Sequence, residues 1–118
     1  MKMTIITSVG DFVDKMTILD IKKENGLDVD IELKSYESQV NEFDSYAYAR
    51  YYEILKAINL QLWSLEDAKR KSVERYSKEE SDIAFMITEL NDCRHHVKKA
   101  IDKFFNSEIS EQKSHKIK

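Results

Sequence analysis

A chain of 118 residues with 42% hydrophobic and 35% charged side chains is a single folded domain, residues 1–118, with a heavily charged surface, and not a disordered segment. No proline and only two glycines, Gly10 and Gly26, exclude a turn-rich sandwich or barrel and leave long helices joined by short connections. A net charge of −3 with interspersed signs excludes the basic footprint of a nucleic-acid binder, and no apolar run approaches the ~20 residues of a membrane span.

The opening segment Met1–Thr7 is too short for a signal peptide and alternates only weakly. Cys93 is the only cysteine, so no disulfide can form within the chain, and a reducing cytoplasm is the expected setting. The first helix is expected over residues 9–24. Ser8 and Asp11 have capping-box spacing, Phe12, Met16 and Leu19 recur at helical intervals, and Asn25-Gly26 suits a left-handed helix end. The second is expected over 28–43, where Asp28, Asp30 and Glu32 favour the positive end of the helix dipole. Its apolar residues Val29, Leu33, Tyr36, Val40 and Phe43 form a narrow seam.

The third helix is expected over 46–75, a rod of roughly 45 Å at ~1.5 Å per residue. Its stripe of Tyr48, Tyr51, Tyr52, Leu55, Ile58, Leu62 and Leu65 is widened by Ala47, Ile54 and Ala57, which predicts the central position for this helix. Ser77 and Glu80 form a better capping box and start the fourth helix, expected over 78–105. Its core stripe reads Ile83, Met86, Ile87, Leu90, Val97, Ile101 and Phe104. The short connection near Tyr76 predicts an antiparallel hairpin of the third and fourth helices. The fold class is therefore all-α, a four-helix bundle-like domain with short non-helical termini.

Chemistry-bearing residues gather in three places. Asp14, Lys15 and Lys22 lie on the first helix, Glu66, Asp67 and Arg70 on the third, and Asn91, Arg94 and Lys98 share one face of the fourth. Surface pairing explains most such spacings: Glu66–Arg70, Asp67–Lys71 and Asp11–Lys15 are all i,i+4. Placement beside Trp63 and Leu90 allows a sharper expectation. Arg70, Arg94 and Lys98 would hold the phosphate or carboxylate of a small metabolite, with Glu66 or Asp67 as acid or base.

Metal chemistry finds little support. His95 and His96 point about 100° apart on a helix, and pairing Asp92 or Cys93 with His96 gives half a site at best. A magnesium-dependent pyrophosphohydrolase needs E-x-x-E before E-x-x-D. Glu89 and Asp92 supply the second, but Trp63 stands where the first acid belongs. No metal or cofactor is expected. The tyrosine-rich segment Tyr46–Tyr52 with Trp63 suggests a surface for self-association.

The stretch from Ser8 to Lys22, SVGDFVDKMTILDIK, resembles the SVGELIDKITILEIK signature of a family of small bacterial proteins of unknown function. Asn59, Leu62, Trp63, Glu66, Asp67 and Arg70 resemble its N-x-x-LW-x-x-ED-x-x-R, and Asn91, Asp92, Arg94, Lys98 and Ile101 its ND-x-R-x-x-x-K-x-x-I. Ser107, Glu111, Lys113 and Ser114 resemble its closing S-x-x-x-E-x-K-S, although His115 stands where an aromatic is expected and residues 26–46 carry no signature. A bacterial or phage source is expected, and the resemblance is to bacterial proteins. It groups Asp14, Lys15, Glu66, Asp67, Arg70, Asn91, Arg94, Lys98, Glu111 and Lys113 into one pattern, and it supplies no reaction. Two functions follow as expectations: a non-enzymatic binding module acting as a homodimer, or a small enzyme or sensor for an anionic metabolite.

Overall fold

A computed structural model describes residues 1, 3–71 and 74–107. Among these residues the chain is all-α, with no strand: α1 (Val9–Glu24), α2 (Asp30–Glu37), α3 (Ser45–Lys71) and α4 (Lys78–Phe104), plus a 3-10 turn at Val40–Glu42. The expected closing motif around Glu111 and Lys113 lies outside the described residues. No described helix is long and apolar enough to cross a membrane.

The centre of the bundle is α1, not α3. Eight of the 16 residues of α1 are buried, against four of the 27 in α3. It packs against α2, α3 and α4 in turn. Val13 on α1, Leu55 on α3 and Ile101 on α4 meet with no exposed surface at all. Phe12, Met16 and Leu19 form a second core with Leu33 of α2. Complete burial of side chains this size stabilises by about 1.5–3 kcal/mol each. The apolar width that suggested a central α3 is real, but Ile54 and Leu60 remain 44% and 42% exposed.

The second helix is shorter than its apolar seam predicts. Ser35 and Ser38 donate their hydroxyls to the carbonyls of Ile31 and Ser35, and Gln39 donates its amide to the same Ser35 carbonyl. Such side-chain bonds compete with helix propagation. The chain leaves α2 at Ser38 and re-forms only the 3-10 turn, which still seats Val40 and Phe43 against the core.

Both ends of α1 are closed, by different means. At its C-terminus Gly26 (φ 83°) donates to the Lys23 carbonyl and Leu27 to the Lys22 carbonyl, a Schellman turn. At its N-terminus Ser8 caps Asp11 N–H and accepts Phe12 N–H at its carbonyl. The two remaining amides look to α4: Val9 donates to Ser107 Oγ (3.3 Å) and Gly10 to Asp102 Oδ1 (2.6 Å). A second Schellman turn, with Asn106 at φ 54°, returns Ser107 to this position. The approach depends on Gly10, because a Cβ there would lie 2.4 Å from the Lys98 carbonyl oxygen and 2.9 Å from Asp102 Oδ1.

Aromatic rings fill the far end of the core. Phe43 packs between Phe12, Tyr48 and Phe105, with centroids 5.3–5.7 Å away. Tyr52 donates its hydroxyl to Asp20. The Tyr48 hydroxyl is buried without a hydrogen-bond partner among the described residues, and burial pushes its pKa up to about 12. Tyr48, Tyr51 and Tyr52 are thus half-buried packing residues, and of the tyrosines in this segment only Tyr46 is widely exposed.

Three substitutions test these contacts. Gly10→Ala should lower stability by about 1–3 kcal/mol in urea denaturation, because both neighbours are held by hydrogen-bonded helix. Gly26→Ala, with nothing within 4 Å of the added carbon, should cost only the left-handed backbone strain of about 1–2 kcal/mol. Tyr48→Phe should raise stability by up to about 1 kcal/mol at neutral pH by deleting an unsatisfied hydroxyl. With a folded pKa above the unfolded value of about 10, Tyr48 keeps its stabilising share below pH 10 and loses it as pH rises towards 12. The phenylalanine variant should therefore show a smaller alkaline loss of melting temperature.

Candidate functional site

The polar residues expected to act together come from three helices and meet around Asp14. Asp14 lies on the inner face of α1 beside Val13 and is 4% exposed. A bare carboxylate at such a place would be strongly unfavourable. Arg94 of α4 meets it side-on, Nε 3.0 Å from Oδ1 and Nη2 2.5 Å from Oδ2. Asn59 of α3 donates its amide to Asp14 Oδ1 (2.8 Å) and to Thr17 Oγ1 (2.8 Å). Thr17 in turn donates to the Asp14 carbonyl (2.7 Å). Lys98 stands 3.9 Å from Asp14 Oδ2 and 2.7 Å from Asp11 Oδ1. Two carboxylates therefore face two cations across the α1–α4 contact.

Above this network lies an open cleft of about 410 Å³ between α1, α3 and α4. Ile18, Ile21, Leu62 and Trp63 give it an apolar wall, and Glu66, Arg70 and Asn91 stand with Asn59 and Arg94 on its polar side. Volumes of this order hold small ligands.

Not every expected residue joins the site. Lys15, one position past Asp14, turns outward and sits 3.7 Å from Glu32. Asp67 faces Lys71 (3.0 Å) and Arg70 (3.9 Å) along the surface of α3. The expected Asp67–Lys71 pair is present. The expected Asp11–Lys15 pair is replaced by Asp11–Lys98, because Lys98 is brought in from α4. Arg70 and Arg94 do share one cleft, whereas Lys98 is directed at Asp11 and Asp14. A three-cation anion site therefore does not assemble. Among the described residues no group of three or more His, Cys, Asp or Glu side chains is placed to hold a metal.

Three contributors lie outside the expected site residues: Thr17, Asp102 and Asn59, the last present only as the first residue of a family motif. Asn59 had a readable signal, since it falls four residues after Leu55 and three before Leu62, on the buried face of α3. A polar side chain in such a stripe must find a partner. Asp102, next to Ile101, gives the same hint on α4.

Removing Arg94 leaves the buried Asp14 carboxylate with Lys98 at 3.9 Å as its nearest cation among the described residues, and removing Asp14 strips the half-buried guanidinium of its closest carboxylate. Asp14→Ala and Arg94→Ala should each lower stability by about 3–5 kcal/mol in chemical denaturation. In a double-mutant cycle the two losses should fall well short of adding, by about 1 kcal/mol or more.

No curated protein and no solved structure matches the chain. One family model does, and it covers the helices that carry the Asp14-centred network and cleft described above. Over residues 1–118 the chain belongs to DUF6165, a family of unknown function.

Proposed function

We propose that this protein is a non-enzymatic interaction module that pairs with a second copy of itself through the outer face of the α3–α4 hairpin. The observation that carries this reading is a pair of uncharged stripes in a chain that is 35% charged. On α4, Met86, Leu90, Cys93, Val97, Ala100 and Phe104 advance in steps of four, three, four, three and four, the period of a two-helix seam. On α3, Ile54, Ala57, Gln61, Ser64 and Ala68 advance by three, four, three and four. All are exposed or half-buried, and Met86 and Phe104 remain 43% and 56% accessible. An open groove of about 590 Å³ runs between Leu60, Leu65, Met86 and Leu90, with Glu89 its only charged lining residue.

Charge placement favours a second copy over an unrelated partner. The flank of the α4 stripe carries Glu89, His96 and Lys103, spaced by seven. When two α4 helices meet antiparallel around a two-fold axis near His96, each Glu89 faces the Lys103 of the other copy. The two hairpins then complete a four-helix bundle from helices of equal length, 27 residues each. A cytoplasmic setting suits this arrangement, because it keeps the exposed thiol of Cys93 reduced.

Analytical ultracentrifugation tests the reading. Wild type should dimerise, and Ala100→Glu should yield a folded monomer. Glu89→Lys and Lys103→Glu should each weaken dimerisation several-fold, and the double swap should restore it. A wild-type monomer at millimolar concentration, or a dimer indifferent to Ala100→Glu, would sink the reading.

A further inference from the structure

The cleft between α1, α3 and α4 lies on the side of the hairpin turned towards α1, away from the outer stripes, and its chemistry is separate from self-association. Asn59 is 6% exposed and lines this cleft. Both acceptors of its amide nitrogen are fixed in kind. The Asp14 carboxylate only accepts, and Thr17 Oγ1 has given its own proton to the Asp14 carbonyl. The amide orientation is therefore set by chemistry, and the Asn59 carbonyl oxygen is left on the cleft side. It accepts no hydrogen bond from any described residue. An accessible amide oxygen on a cleft wall, with no donor from the described residues, is free to accept from a ligand N–H.

The charges at the rim are balanced rather than basic. Arg94 is engaged by Asp14, and Lys98 by Asp11 and Asp14. The groups that give the mouth its polarity are Glu66 and Arg70, one turn apart on α3. Glu66 makes no ion pair or hydrogen bond with the described residues, and Arg70 has only a 3.9 Å approach to Asp67 at 66% side-chain exposure. The Glu66 carboxylate would repel a second anionic group, and the Arg70 guanidinium a second cationic one. Trp63 and Leu62 form an apolar wall beside them.

We infer that this cleft binds a small zwitterion: an ammonium group donating to Glu66 and the Asn59 carbonyl, and a carboxylate or phosphate accepting from Arg70. The apolar middle of such a ligand lies along Trp63. A simple anion satisfies only Arg70, and a simple amine only the two acceptors.

Trp63 is the only tryptophan, so its emission reports on the cleft directly. Full-length protein is titrated at constant ionic strength with glycine, β-alanine, γ-aminobutyrate and O-phosphoethanolamine. Acetate, inorganic phosphate and ethanolamine serve as half-ligands. At least one zwitterion should give a saturable change, with each half-ligand about tenfold weaker or worse. Glu66→Gln and Arg70→Gln, both at the rim, should keep the wild-type melting temperature and weaken the same zwitterion by about tenfold each. Failure of all four zwitterions to saturate, equal affinity for phosphate or acetate alone, or unchanged binding by Glu66→Gln would each overturn the assignment.

Discussion

A carboxylate cannot be buried alone, and Asp14 is buried near the middle of the bundle. Its neutralisation demands partners from outside α1: the guanidinium of Arg94 and the ammonium of Lys98 from α4, and the amide of Asn59 from α3. Each partner fixes a helix. Arg94 and Lys98 set the rotation of α4 about its axis, and Asn59 sets the height of α3 against α1. A hydrophobic core alone tolerates sliding, because apolar contacts are non-directional. A network with donors and acceptors in fixed places specifies one arrangement, though it adds little net stability.

The same contact explains why the short α1 sits at the centre while the longer α3 and α4 flank it. Helix ends carry unsatisfied amides, and a buried helix must satisfy them within the protein. For α1 this is done by Ser8 locally and by Asp102 and Ser107 from the end of α4. The longer helices place much of their surface outward, which leaves an uncharged outer seam on the hairpin and a polar cleft on its inner side. The proposed interaction surface and the candidate ligand site are thus on opposite faces of one structural unit.

Much of this was legible in the residues. The four helices followed from apolar spacing, from Ser8 and Ser77 as caps, and from Asn25-Gly26 as a stop. The extent of α2 was not, because its apolar seam runs on to Phe43 while Ser35, Ser38 and Gln39 divert its main-chain carbonyls. Burial on α3 and α4 was overestimated for a related reason. Ile54, Met86 and Phe104 fit a core stripe by spacing, and spacing cannot say whether the facing surface belongs to the same chain. Spacing assigns the polar residues to their helices but says nothing of how they pair across them. Lys98 and Asp11 are joined by tertiary approach, and the glycine that permits that approach carries no side chain to announce it.

The wiring of α1 has a consequence for the order of events during synthesis. It precedes α3 and α4 in the chain, yet its amide caps lie 92 and 98 residues further along, and the guanidinium of Arg94 lies 80 residues beyond Asp14. Until α4 has been translated, α1 exists with open amides and an unmatched inward carboxylate. Nascent chains that halt in the loop after α3 hold a central helix with no centre to occupy. A helix made before α3 and α4 is thus completed only after them, and the bundle closes as a unit rather than growing helix by helix.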